Sequence, residues 1–111
     1  MLTHELLSQT IPFLRLSDKV YQALELMNEN NVTHLPVVNG SQFSGLISED
    51  DLLQAENDNA LLSAMEQSFS NICVKEDEHF LKAVKLAAEN GVSVVPVVNE
   101  ENELIGSVTY N

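Results

Sequence analysis

The sequence predicts an α+β fold of two β-α-β-β-α units in tandem, the second stopping after its last strand. Two observations predict it. Val32-Thr33-His34-Leu35-Pro36-Val37-Val38-Asn39 returns sixty residues later as Val92-Ser93-Val94-Val95-Pro96-Val97-Val98-Asn99. Each copy of that segment follows an apolar stripe at helical spacing and precedes a second β-branched run. Between positions 11–39 and 71–99, nine of 29 pairs are identical, where average composition gives about two. One residue is then inserted in a turn, after which Gly45-Leu46-Ile47-Ser48 matches Gly106-Ser107-Val108-Thr109.

Each unit opens with a short apolar segment, Phe13-Leu14-Arg15-Leu16 or Ile72-Cys73-Val74, whose length suits a strand. A helix follows. Ser17 is placed as its N-cap, and Val20, Ala23, Leu24 and Met27 fall at the spacing of one buried face. In the second copy Asp77 caps, and Phe80, Ala83, Val84 and Ala87 repeat the stripe. Asn31 and Gly91 stand where each helix ends, residue types that readily take the left-handed conformation. The runs His34–Val38 and Val94–Val98 are strands, each paired through a polar turn with a second one, Phe43–Ser48 or Leu104–Thr109. Pro36 and Pro96 each remove a backbone donor. That places them at a sheet edge, at a strand end, or where something else needs the exposed carbonyls.

Residues 49–55 continue the first copy as a helix, Asn57-Asp58-Asn59 interrupts, and residues 60–67 read as a short joining helix. The divisions are therefore 1–56 for the first copy with its lead-in, 57–70 for the linker and 71–111 for the second copy. The second copy ends at Asn111, where its own terminal helix is due, so the chain reads as a piece of a longer protein.

The chain has 111 residues, with 17 Asp and Glu against five Lys and Arg, a net charge of −12. Such acidity opposes binding to nucleic acid or to an anionic membrane surface. Apolar residues at 44% with 20% charged suffice for a core, so the acidity does not imply disorder. Cys73 is the one cysteine, which suits a reducing compartment. With neither a basic apolar leader nor a long apolar run, the chain reads as cytoplasmic, without membrane insertion. His4, His34 and His79 are scattered, Cys73 reads as a small buried apolar residue, and no nucleophilic or phosphate-loop constellation appears. No catalytic residue and no metal ligand is assigned.

The ordered set of pieces resembles the cystathionine-β-synthase (CBS) domain family, whose tandem pairs are called Bateman modules. The resemblance rests on Ala23-Leu24-Glu25-Leu26-Met27, on Val32 to Val38, and on Gly45-Leu46-Ile47-Ser48-Glu49-Asp50-Asp51-Leu52-Leu53, repeated through Ala83 to Thr109. It covers the chain from about residue 11 onward. It implies two copies packed about a pseudo-two-fold axis, with two clefts that in many members bind adenosyl compounds: AMP, ADP, ATP or S-adenosylmethionine, in some cases magnesium. It also implies a regulatory module, commonly a homodimer, that acts on an attached or separate effector.

The resemblance points to particular residues. Ser48-Glu49-Asp50-Asp51 matches the family's Ser/Thr-x-x-Asp signature, in which Ser48 opens a helix whose positive end suits phosphate, and Asp51 accepts from ribose hydroxyls. The same spacing also reads as a helix cap needing no ligand. For adenine, the resemblance implies Phe13, Leu14, His34, Leu35 and Pro36 in the first cleft. It implies Cys73, Val74, Val94, Val95, Pro96 and Thr109 in the second. Many members carry a Thr where Phe13 and Cys73 stand, and the second copy's Asp would follow Asn111. Glu49 and Asp50 add carboxylates that cost a nearby phosphate on the order of a few kcal/mol each. A triphosphate without magnesium is disfavoured; adenosine, AMP and cationic S-adenosylmethionine suffer less. Two other functions stay open: a ligand-free dimerisation module whose clefts are filled by side chains such as Phe13, and a divalent-cation sensor.

Overall fold

The computed structural model describes residues 1–7 and 11–110. The expected ending of the second unit at Asn111 lies outside them. The first unit runs β1 (Leu14–Arg15), α1 (Val20–Asn30), β2 (His34–Asn39), β3 (Gln42–Ser48) and α2 (Glu49–Leu53). The second runs β4 (Val74–Lys75), α3 (Phe80–Asn90), β5 (Val94–Val98) and β6 (Leu104–Thr109). Each unit forms a three-stranded sheet, ordered β1-β2-β3 and β4-β5-β6, parallel at the first pairing and antiparallel at the second. Even the register irregularity repeats, between Val37 and Val38 and between Val97 and Val98. The α+β repeat is therefore present in the backbone.

The helices end as expected and begin later. Asn31 and Gly91 close α1 and α3 at φ 54° and 63°. Ser17 and Asp77 are not the caps. A turn occupies residues 15–18 and 75–78, in which the Asp18 and Glu78 carboxylates accept from the Arg15 and Lys75 N–H groups, each at 2.8 Å. These turns push the N-caps to Lys19 and His79; His79 Nδ1 accepts from the Leu81 N–H. Val20, Ala23 and Met27 are buried, but Val84 of the matching stripe in α3 is 37% exposed. One reason is visible: α2 packs on α1 and buries Leu52, while among the described residues no helix follows β6. The joining segment is a 3₁₀ helix, Leu62–Ser68, kinked at Met65 rather than a regular helix.

The prolines are not at a sheet edge, since β2 and β5 are the central strands. Leu46, opposite Pro36, spends both its N–H and its C=O on Ser70. Pro36 and Leu46 thus form a pair without mutual hydrogen bonds, and the donor-less nitrogen faces the β1 side. There β1 pairs only with Val37 and Val38, so the ring takes no donor from the paired stretch.

The two units close each other. Thr3–Leu6, a 3₁₀ helix, leads into the first unit yet packs on the second. Thr3 N–H donates to Glu78 O, His4 N–H to Glu76 O, and Met1 O accepts from Phe80 N–H. The linker does the same for the first unit, with Leu62 N–H on Asp18 O, Ser63 N–H on Leu16 O and Ala60 O on Val20 N–H. Leu62, Met65 and Phe69 complete the first core, and Leu6 and Leu7 the second. At the far ends, the hairpin turns zip together: Phe43 N–H bonds Asn102 O, Leu104 N–H bonds Ser41 O, and Ser41 Oγ donates to Glu103 at 2.9 Å.

Gly45 is where this closure is tightest. Its φ is 151°, and a Cβ there would stand 2.5 Å from Phe69 Cβ and 3.2 Å from Ser70 O. Gly45→Ala is expected to cost about 2 kcal/mol. Gly106→Ala, which meets only the Leu7 Cδ2 end at 3.0 Å, should cost less. Urea denaturation of the two variants checks the ordering.

Candidate functional site

Two clefts lie where the units meet. The first takes His34 from β2, Leu46 and Ser48 from β3 and Asp51 from α2; the facing wall is Ser68, Ser70, Ile72, Asn90 and Val92. Its volume is ≈ 270 Å³. Ser48 is held as the N-cap of α2, its Oγ accepting from the Asp51 N–H at 3.1 Å. Only the backbone of Asp51 enters this cap. The Asp51 carboxylate instead lines the cleft, half-buried, one turn into the helix.

The second cleft, ≈ 160 Å³, lies between Ile11, Pro12, Phe13 and Pro36 of the first unit and residues 104–107 of β6. Phe13 is 44% exposed and carries the Arg15 guanidinium over its ring, 5.2 Å from the centroid. The clefts are thus open, and Phe13 does not plug one.

These positions regroup the residues singled out from the sequence. His34, Ser48 and Asp51 come together, whereas Phe13 and Pro36 face the second unit across the other cleft. The crossing of the lead-in segments is the reason: the chain entering each first strand lies against the opposite unit's last strand. Leu14, Leu35, Val74, Val94 and Val95 are core, none more than 1% exposed. Pro96 is buried in β5, Cys73 is half-buried, and Thr109 is exposed at the end of β6. Burial together with the nearby Glu78 carboxylate pushes the Cys73 thiol up, against nucleophilic use. Among the described residues, no group of three or more His, Cys, Asp and Glu is placed to hold a metal ion.

The family model for the CBS domain matches residues 4–58 and 68–111. This chain is a pair of CBS domains. Among solved structures, the CBS domain pair/ACT domain protein of Thermotoga maritima superposes with a TM-score of 0.86 at 24% identity, covering 98% of this chain and 89% of that one. The CBS domain pair of protein MJ0100, solved with 5′-methylthioadenosine and S-adenosyl-L-methionine, gives 0.74 at 25% identity, with 98% and 92% covered. Among curated relatives, the inosine-5′-monophosphate dehydrogenase of Korarchaeum cryptofilum is 34% identical over 83% of this chain. The CBS pair spans about a fifth of that protein's length, 19%. No helix among the described residues is long and apolar enough to cross a membrane.

Sequence reasoning missed the far wall of the first cleft. Ser68, Ser70 and Asn90 carry no motif. The available signal was in the lead-ins, since Met1-Leu2-Thr3 stands to Phe80 as Ala60-Leu61-Leu62 stands to Val20.

His34 is the only base lining the first cleft. Desolvation lowers its pKa from the ordinary 6.5, opposed by Asp50 and Asp51; Thr33 Oγ1 lies 3.0 Å from Nδ1. The unfolded imidazole therefore holds the extra proton at pH values between the folded pKa and 6.5. Stability should fall as pH drops below 6.5 and level off beneath the folded value. His34→Gln should flatten this dependence, as read by denaturation midpoints across that range.

Proposed function

We propose that this CBS pair is a cytoplasmic, homodimeric regulatory module that binds an adenosyl compound in the first cleft and controls an attached or partner protein, without chemistry of its own. The observation that carries the reading is the Asp51 carboxylate. It is left out of the α2 cap, stands beside Ser48 and His34, and faces an open cleft built from both units. A carboxylate so placed accepts from two vicinal hydroxyls at once, which suits a ribose. Phosphate-free adenosyl compounds are what the MJ0100 pair holds, and that protein shares this fold throughout. Because the walls come from different units, a bound molecule couples to their relative placement, and an effector reads the shift in population.

The ligand-free alternative requires filled clefts, whereas Phe13 lines the second cleft and leaves ≈ 160 Å³ of it open. Cation sensing requires convergent ligands, which the described residues do not offer.

The test pairs two variants. Asp51→Ala should weaken adenosyl binding by about tenfold or more, with little change in melting temperature, because the cap stays. Ser48→Ala should cost about 1 kcal/mol of stability. A ligand at 100 times its Kd raises stability by about 2.7 kcal/mol, which thermal shift detects in the parent chain. Unchanged binding in Asp51→Ala would remove the ribose role.

A further inference from the structure

We propose that the first cleft selects an adenosyl compound without phosphate, one whose 5′ substituent is uncharged or cationic. This rests on the adenosyl reading above and adds the sign of charge that the cleft accepts.

The lining carries the argument. It presents three serine hydroxyls, an asparagine amide and the Asp51 carboxylate, with neither lysine nor arginine. Desolvation lowers the pKa of its imidazole, His34, even though Asp50 and Asp51 act in the opposite direction. A second groove of ≈ 540 Å³ shares Asp51 and Ser68 with this cleft; Glu56 joins its lining and again no basic residue does. Of the five Lys and Arg in the chain, Arg15 lies over Phe13 beside the second cleft and Lys82 pairs with Glu78.

A phosphate in either space would leave water to face a carboxylate with no lysine or arginine in the lining, an arrangement in which burying charge is costly. Helix α2 has five residues, too short a dipole to replace the missing cation. A thioether meets the same carboxylates at no electrostatic loss, and a sulfonium or ammonium gains from them. The second groove offers room for such a tail, and its Gln54, Asn57 and Gln67 amides suit a polar, uncharged or zwitterionic one.

Isothermal titration calorimetry of the full chain at neutral pH and low salt, with 5′-methylthioadenosine, S-adenosylmethionine and AMP in turn, tests this. Both phosphate-free ligands should bind at least about tenfold tighter than AMP. The Asp50→Asn/Glu56→Gln variant, altered at two exposed positions, should narrow that gap by about threefold, mainly through AMP. AMP binding as tightly as methylthioadenosine, or a gap that the double variant leaves unchanged, would overturn the charge selection and leave the adenosyl reading standing. Binding of none of the three would overturn both.

Discussion

Neither sheet of this protein closes its own core; each is completed by the chain segment that leads into the other unit. Leu62, Met65 and Phe69 seal the first unit on their way to β4, and Leu6 and Leu7 seal the second on their way toward β1. The rest follows from that exchange. It presses Phe69 against Gly45 so closely that no side chain fits there. It also brings each lead-in across the opposite unit's last strand, and a cleft lined from both halves is the result.

The same exchange explains what was legible in the sequence. Local patterns were read well. Stripe spacing located α1 and α3, β-branched runs located four strands, and Asn31 and Gly91 marked the helix ends, because each depends on a few neighbouring residues. The signals that failed were those decided by distant partners. Ser17 and Asp77 look like caps, but a turn held by Asp18 and Glu78 displaces them. Pro36 looks like an edge residue, yet Leu46 has turned to Ser70 and β1 pairs only from Val37 onward, so a proline fits in the central strand.

The candidate site divides along the same line. Ser48 and Asp51 belong to one helix turn and were visible as a motif. Their companions were not, since Ser68, Ser70 and Asn90 reach the cleft only through the crossing of the linker. Assigning Phe13 to the same cleft as Asp51 treated each unit as self-contained, and the fold exchanges that face. A motif can name a carboxylate; what stands opposite depends on topology.

The lead-in crossing also sets the path of mechanical load. Met1 is bonded to Phe80, and Tyr110 donates to Ser93, so both ends of the described chain are fastened to the second unit. Tension applied between them therefore loads the bonds that hold Met1 to His4 on the turn before α3 and the bond from Tyr110 to Ser93. The first unit is tied to the second at two separate places, from Ser41 to Glu103 at the hairpin tips and from Leu46 to Ser70 at the start of the second lead-in.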